Sequence, residues 1–430
     1  MIDSSFDVSY GRTVCFGVNY ILNIFEGFLT ELATWRKSVA KSGHFSVMAE
    51  CKKGTHSDCS KECASHGPKI HDDVKDYYGK RVKKSSDLKS NACVAPAKPI
   101  PAFIRKALTD VHPDVTDKYY GCGLVVPECL EGRRVLDLGC GSGRDVYMLS
   151  TLVGEKGHIT GVDMTEEQLE VARKYIEHHT QKCGFSKPNV DFIQGYIEGL
   201  EEAGLGENSY DIIISNCVVN LSPDKTRVLR EAFRVLKDGG ELYFSDIYSS
   251  GQLPREITSH KVLWGECFGG ALCWEDLVRL AEEVGFSSPR LVTASTVTVD
   301  NEELESLLGD YKFVSATYRL FKIPKNTPKK SCLLTYDGNI TGFEKALEFD
   351  CHYTFKVNDV VEVDGEVASI LKTSRFAEEF TFQPDSQTSS GSCCAPAKAV
   401  PVNPFELVQQ MKSGGTTSAT EGCCGARKSC

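Results

Sequence analysis

Of the 430 residues, 19 are cysteine, and three of these stand where a thiolate could meet a ligand. Cys122 follows Tyr119-Tyr120-Gly121, Cys217 follows Asn216 at the end of the apolar run YDIIISN, and Cys267 lies in LWGECFGGALCW. Thiolates are soft donors, and three of them converging suit a thiophilic, three-coordinate centre. Zinc takes a fourth ligand or a water in a tetrahedral site, and the closed C-x-x-C pairs of structural zinc are missing. Taken singly, each of these cysteines reads as a packed core thiol. Only a fold that brings them together makes them a ligand set.

The second chemical signal is VLDLGCGSGRD, Val135 to Asp145. An apolar strand runs into Gly139-Cys140-Gly141-Ser142-Gly143, and a helical pattern follows. Glycines let the backbone turn sharply and approach a ligand with no Cβ in the way. An acidic residue, Asp163, ends the next strand, where a carboxylate can accept both ribose hydroxyls of an adenosine. A pyrophosphate-binding loop needs a third glycine where Arg144 stands, so a dinucleotide is disfavoured. The bland reading is a strand-to-helix turn with no ligand.

Elements able to position these groups follow in order. RRVLDLG (133–139), GHITGVDM (157–164), VDFIQGYIE (190–198), YDIIISNCVVN (210–220) and ELYFSDIY (241–248) read as strands. Thr165 opens a helix with Glu166 and Glu167 in its first turn. Pro223 opens another through Leu236, with Gly239-Gly240 as its stop. Strands alternating with helices imply a parallel sheet covered on both faces. The expected architecture is an α/β, Rossmann-like open sheet at 133–288 with a helical N-terminal segment at 71–132. A small α+β domain is expected at 289–383, where Thr, Val, Tyr and Phe dominate. A leader at 1–70 and a Ser/Gly-rich, Cys-containing tail at 384–430 are expected to be flexible. Asn216-Cys217 then falls at the carboxyl edge of the fourth strand, where open sheets bind ligands.

The G-x-G-x-G loop, preceded by Asp137, resembles that of the class I methyltransferases. The resemblance implies S-adenosylmethionine as cofactor, held by Tyr119, Gly121, Asp137, Gly139, Gly141, Ser142, Gly143, Asp163, Met164, Tyr196, Ile197 and Asn216. Longer stretches are more specific: VKDYYGK, SSDLKSNACV, DKYYGCGLVVPECLEG, GHITGVDMTEEQLEVA, SNCVVNLSPDK and LWGECFGGALCW. Through these, from Val74 to Phe380, the chain is similar to the arsenite S-adenosylmethionine methyltransferases. That family implies arsenic(III), supplied as arsenite or its thiol conjugates, on Cys122, Cys217 and Cys267. It also implies a role for Cys93 in a disulfide cascade that returns oxidised arsenic to the trivalent state. Glutathione or thioredoxin would then serve as the thiol reductant. Cys140 reads as filler. Cys129, Cys183, Cys273, Cys332 and Cys351 read as structural, and the tail thiols as dispensable.

Composition narrows the alternatives. The net charge is −10 and no basic stripe stands out, which argues against nucleic acid. The apolar stretch 14–29 is broken by Asn19, Asn23 and Glu26, a poor membrane span. The many thiols suit a reducing, cytoplasmic setting, with organelle targeting by the leader left open. Two other readings share features with this one. A class I methyltransferase acting on a sterol, quinone or thiol would keep the cofactor loop and tolerate loss of Cys122 and Cys267. A noncatalytic thiol sensor would bind the metalloid without consuming cofactor.

Overall fold

The computed structural model describes residues 69–81, 100–121, 123–299, 301–383 and 403–413. The leader, Cys93, Cys122 and the tail cysteines lie outside the described residues.

Helix α1 (residues 69–76) runs into a π-helical turn, Tyr77–Arg81. Helices α2 (Ala102–Thr109) and α3 (Pro113–Thr116) follow, and the His112 ring caps α3 by accepting from the Asp114 N–H. Next come β1 (Arg134–Leu138), α4 (Arg144–Val153), β2 (His158–Asp163), α5 (Glu166–Lys174), α6 (Ile176–Cys183) and β3 (Val190–Gln194). The second half of the sheet is built from β4 (Tyr210–Asn216), α7 (Lys225–Val235) and β5 (Leu236–Ser249). Helices α8 (Arg255–Thr258) and α9 (Lys261–Gly265) precede the short β6 (Leu272–Cys273). Then follow α10 (Trp274–Val284), β7 (Arg290–Thr296), α11 (Glu302–Leu308) and β8 (Phe313–Phe321).

The main sheet has the order β3-β2-β1-β4-β5-β8-β7, with β6 beside β5. Strands β1 to β5 pair in parallel, whereas β8 runs antiparallel to β5 and to β7. The central strands are buried on both faces, which is why they read as continuous apolar runs. One face packs on α7 and α10 through Val228, Leu229, Leu277 and Ala281, the other on α2 and α4 through Ile104, Ala107, Val146 and Leu149. Chain order reverses between β1 and β4, and the carboxyl ends of those strands open a crevice there.

Three sequence expectations need correction. The stretch from 290 does not start a separate domain, because β7 and β8 complete the main sheet. A second unit forms only after β8, from the sheet β12-β9-β13 and the hairpin β10-β11. Its strands are β9 (Cys332–Tyr336), β10 (Ala346–Glu348), β11 (Thr354–Lys356), β12 (Val360–Val363) and β13 (Phe380–Phe382), closed by α12 (Gly365–Thr373) over Phe349, Phe355 and Phe376. Gly239-Gly240 does not end a helix but lies within β5. Gly239 has φ +78°, and a Cβ there would meet the Thr373 carbonyl oxygen at 2.0 Å, so the close approach of α12 requires glycine. Part of the tail is also ordered: α13 (Pro404–Lys412), capped by Asn403, buries Leu407 and Val408 on the main core.

Candidate active site

The glycine loop hangs from the end of β2. The Gly139 and Cys140 N–H groups both donate to the Val162 carbonyl, at 2.7 and 3.0 Å. Gly139 has φ +73°, and a Cβ there would overlap the Val218 side chain at 2.4 Å. The Gly141 N–H donates to Asp163 Oδ2 at 2.9 Å, and the Thr165 N–H to Oδ1 at 2.8 Å. Asp163 is thus fixed at the rim with its remaining lone pairs available to the crevice. The Ser142 hydroxyl donates to the Val115 carbonyl at 2.8 Å, docking α3 against the loop.

A cavity open to solvent lies here, and every cofactor residue named from the sequence lines it except Gly143. Gly143 is instead the left-handed cap of α4, with φ +87° and the Phe192 ring 2.8 Å from where its Cβ would stand. Its glycine serves packing, not ligand contact. On the opposite wall, Asn216 Nδ2 donates to the Tyr119 hydroxyl (2.6 Å) and the Gly123 carbonyl (3.0 Å), which joins β4 to the N-terminal segment.

The cavity is acidic. Burial raises the Asp137 carboxyl well above its ordinary range, and the neighbouring Asp145 and Asp163 add to that. Burial also raises Asp163, opposed by the Thr165 and Gly141 N–H groups. Glu198 would rise on burial, but His71, hydrogen-bonded to it from α1, holds it below its ordinary value. Arg144 pairs with Asp145 and lies over the Tyr119 ring. A pocket with more carboxylates than cations fits a cationic ligand, such as a sulfonium bearing an α-amino group. Asp145, Gln168 and Glu198 line the cavity but were not singled out from sequence. Asp145 ends the motif VLDLGCGSGRD, and Glu198 ends VDFIQGYIE, read as the third strand, so a signal was present for both.

Cys217 stands at the turn after β4 and lines this same cavity. Its N–H donates to the Ser245 carbonyl at 2.9 Å. Cys267 follows α9, and its thiol donates to the Cys217 carbonyl at 3.2 Å. The sulfurs of Cys217 and Cys267 and a carboxylate oxygen of Asp246 lie within 4.8 Å of one another, all three residues buried. Cys217 is disulfide-bonded in this form. The structure therefore brings two of the sequence-named thiols together, while Cys122 and Cys93 lie outside the described residues.

Asp246, near the end of β5, was not foreseen. Its carboxylate accepts from Asn220 Nδ2 (2.7 Å), the Asn220 N–H (3.0 Å) and the Ile247 N–H (2.8 Å). Burial pushes it up to about 7, against those N–H groups and the nearby Lys225. Burial pushes the Lys225 ammonium down to about 8, opposed by Asp246 and Cys267. Trp264 covers this ammonium, 5.2 Å from the ring centre.

Strand order, the glycine loop at the switch point and an acidic cavity beside it define a class I, S-adenosylmethionine-dependent methyltransferase. A family model for a methyltransferase domain matches residues 130–285, and one for the arsenite methyltransferase C-terminal domain matches 329–430. The chain is 57% identical to the arsenite methyltransferase of Rattus norvegicus over 85% of its length and 100% of that protein. It is 56% identical to the one of Homo sapiens, over 84% of this chain and 98% of that one. Among solved structures, an arsenic(III) S-adenosylmethionine methyltransferase from Chlamydomonas reinhardtii is 47% identical, with a TM-score of 0.64 over 67% of this chain and 97% of that one. The chain belongs to the arsenite methyltransferase family. The expected fold class is borne out, and the matched C-terminal region begins after β8, in line with the redrawn boundary.

Proposed function

We propose that this protein transfers methyl groups from S-adenosylmethionine to trivalent arsenic held by Cys217 and Cys267, with Cys122 as the third sulfur that the family resemblance implies. The observation that carries this reading is the double membership of Cys217, which is part of the cofactor cavity wall and of the thiol cluster with Cys267. A metalloid on those sulfurs would stand beside the cofactor in a buried, largely water-free site, the arrangement that in-line displacement requires.

Gly139, Gly141 and Asp163 would hold the nucleoside and amino-acid parts of the cofactor, with Glu198, kept ionised by His71, supplying negative charge and Asp137 a buried hydrogen-bonding carboxyl. Met164, Tyr196 and Ile197 would flank the adenine. When bound, S-adenosylmethionine supplies an electrophilic methyl on a cationic sulfur. Arsenic's lone pair forms the As–C bond as the S–C bond breaks. Sulfur ligation leaves that lone pair in place and removes oxygen ligands, which should make arsenic the better nucleophile.

Donating the pair formally oxidises arsenic from the trivalent to the pentavalent state, so two electrons are needed before another round. Two thiols can supply them by closing a disulfide, which glutathione or thioredoxin reopens by exchange. Cys217, disulfide-bonded in the form described, becomes a ligand only once reduced. Cys93 is the family's candidate for this relay. A cytoplasmic location fits that thiol chemistry.

The test is to incubate the protein with labelled cofactor, glutathione and arsenite, and to identify methylated arsenic. Cys217→Ser and Cys267→Ser should each reduce methylation of arsenite to background. Full activity in either variant would remove that sulfur from the ligand set.

A further inference from the structure

Asp246 is a buried acid that the cofactor site does not use. One of its oxygens lies within 4.8 Å of the sulfurs of Cys217 and Cys267, and it is 1% exposed. Its orientation is fixed from two directions, by the Ile247 N–H on its own strand and by Asn220 in the turn after Cys217. The charged group facing it from α7 is Lys225, whose ammonium is hydrogen-bonded to the Ser222 carbonyl at 3.0 Å and covered by Trp264.

Methyl transfer moves a charge. As the As–C bond forms from arsenic's lone pair, the S–C bonding pair stays on the cofactor sulfur. The sulfur loses its positive charge and the arsenic gains it, with no proton transferred. A fixed carboxylate beside the arsenic would favour the products of that shift and the transition state leading to them. Charge placed in advance in a dry site is most effective where charge develops. We propose that Asp246 is the counter-charge for the arsenic centre, stabilising the positive charge that arsenic acquires during methyl transfer. The proposal rests on the thiol-held arsenic described above.

The same hydrogen bonds also give Asp246 a plain structural use, capping the turn that carries Cys217. Asn220→Ser loosens that cap and leaves the carboxylate in place, so it separates the two roles. Wild type, Asp246→Asn, Asp246→Glu and Asn220→Ser would be compared as full-length protein with glutathione present. For each, calorimetry gives arsenite and S-adenosylhomocysteine affinities, melting gives Tm, and turnover gives kcat.

Asp246→Asn should lower kcat on the order of 100-fold, with both affinities within about threefold of wild type, a margin small against that loss. Asp246→Glu should recover part of the loss, and Asn220→Ser, which keeps the carboxylate and the Asn220 and Ile247 N–H bonds but loses the Nδ2 donor, should fall between wild type and Asp246→Asn. The proposal is overturned if Asp246→Asn keeps its kcat, if Asn220→Ser loses as much, or if arsenite affinity falls in step with kcat. Should Asp246→Asn not fold, Asp246→Glu must still lower kcat more than Asn220→Ser does, and the reverse order overturns the idea. Wild type that makes no methylated arsenic would sink the underlying reading instead, so the two failures are distinct.

Discussion

The Cys267 sulfur lies 3.2 Å from the backbone carbonyl oxygen of Cys217, and both residues adopt left-handed backbone, with φ +66° and +58°. Two buried non-glycine residues in that region, in contact, are uncommon. Left-handed backbone costs an L-residue roughly 1–2 kcal/mol. Such strain persists where the surrounding structure imposes it, and it collects at functional sites.

Strain of this kind predicts an inversion of the usual side-chain ranking at 267. Cys267→Gly should be more stable than Cys267→Ala by about 1 kcal/mol, because glycine tolerates positive φ. In Tm that is on the order of 2 °C. Neither variant should methylate arsenite, since both lack the sulfur. Thermal melts of the two side by side provide the check, and an alanine variant as stable as the glycine one would mean the turn relaxes freely.

The cofactor half of the site was legible because its signals are local. A strand, a glycine turn, a helix and an acidic strand end occur within thirty residues (Val135 to Asp163), and each constrains the next. Asp246 carries no such signal. Within ELYFSDIY it is one polar residue in a buried strand, and only the pairing of β5 with β4, together with the return of the chain after α9, brings it beside Cys217 and Cys267. The boundary near 290 failed for a related reason. RLVTAST and FVSATYRLF declare themselves strands, but strand propensity does not say which sheet they join. Gly239-Gly240 was misread because a glycine forced by a neighbouring carbonyl looks, in sequence, like a helix stop.

His179 predicts a specific loss of stability in acid. It is buried, its Nδ1 side meets the Tyr175 carbonyl at 2.8 Å, and its Nε2 accepts the His112 N–H at 3.1 Å. Those bonds fit the neutral ring with its proton on Nδ1. Burial lowers the ring from its ordinary 6.5 to about 4. Between those values the unfolded chain binds a proton that the folded one refuses, so stability falls as pH falls through this window. The loss attributable to this ring is about 3 kcal/mol. His112 caps α3, and α3 docks on Ser142, so the loss should reach the glycine loop. Urea unfolding of wild type and His179→Gln at pH 7 and pH 4.5 measures it. The variant should be less stable at pH 7 and should lose less on acidification. Equal pH slopes would show that other groups carry the effect.

The junction of the main sheet with the C-terminal unit rests on buried charge. Arg319 on β8 pairs with Glu241 on β5 at 2.6 Å and with Glu128 at 3.1 Å, and donates to the Phe349 carbonyl at 2.7 Å. Arg375, just beyond α12, reaches the other Glu241 oxygen at 2.6 Å. Arg319→Met would leave Glu241 with Arg375 alone and the buried Glu128 carboxylate without its ion-pair partner. Breaking a buried pair in this way costs about 3–5 kcal/mol. Denaturant titration should register that loss, and restoring neutrality with Glu241→Gln in the same chain should recover part of it. A single variant within about 1 kcal/mol of wild type, inside the ordinary range of surface substitutions, would show that water or rearrangement satisfies the acids.

The glycine loop and the thiol site meet where Gly139 packs on Val218, and this predicts coupled loss of both functions. A Cβ on Gly139 would lie 2.4 Å from Val218 Cγ1, and Val218 directly follows Cys217. Gly139→Ala must therefore displace the turn that carries Cys217, the proposed arsenic ligand, as well as strain the loop at φ +73°. Cofactor affinity and arsenite affinity should both fall, although residue 139 is far in sequence from either cysteine. Val218→Ala in the same chain removes the overlap but not the positive φ. The double variant should regain most of its arsenite affinity while cofactor affinity stays reduced, by on the order of tenfold for about 1–2 kcal/mol of backbone strain. Calorimetry with arsenite-glutathione and with S-adenosylhomocysteine separates the two. If Val218→Ala rescued both equally, the steric contact alone would account for the coupling, and if it rescued neither, the path from the loop to Cys217 would not run through Val218.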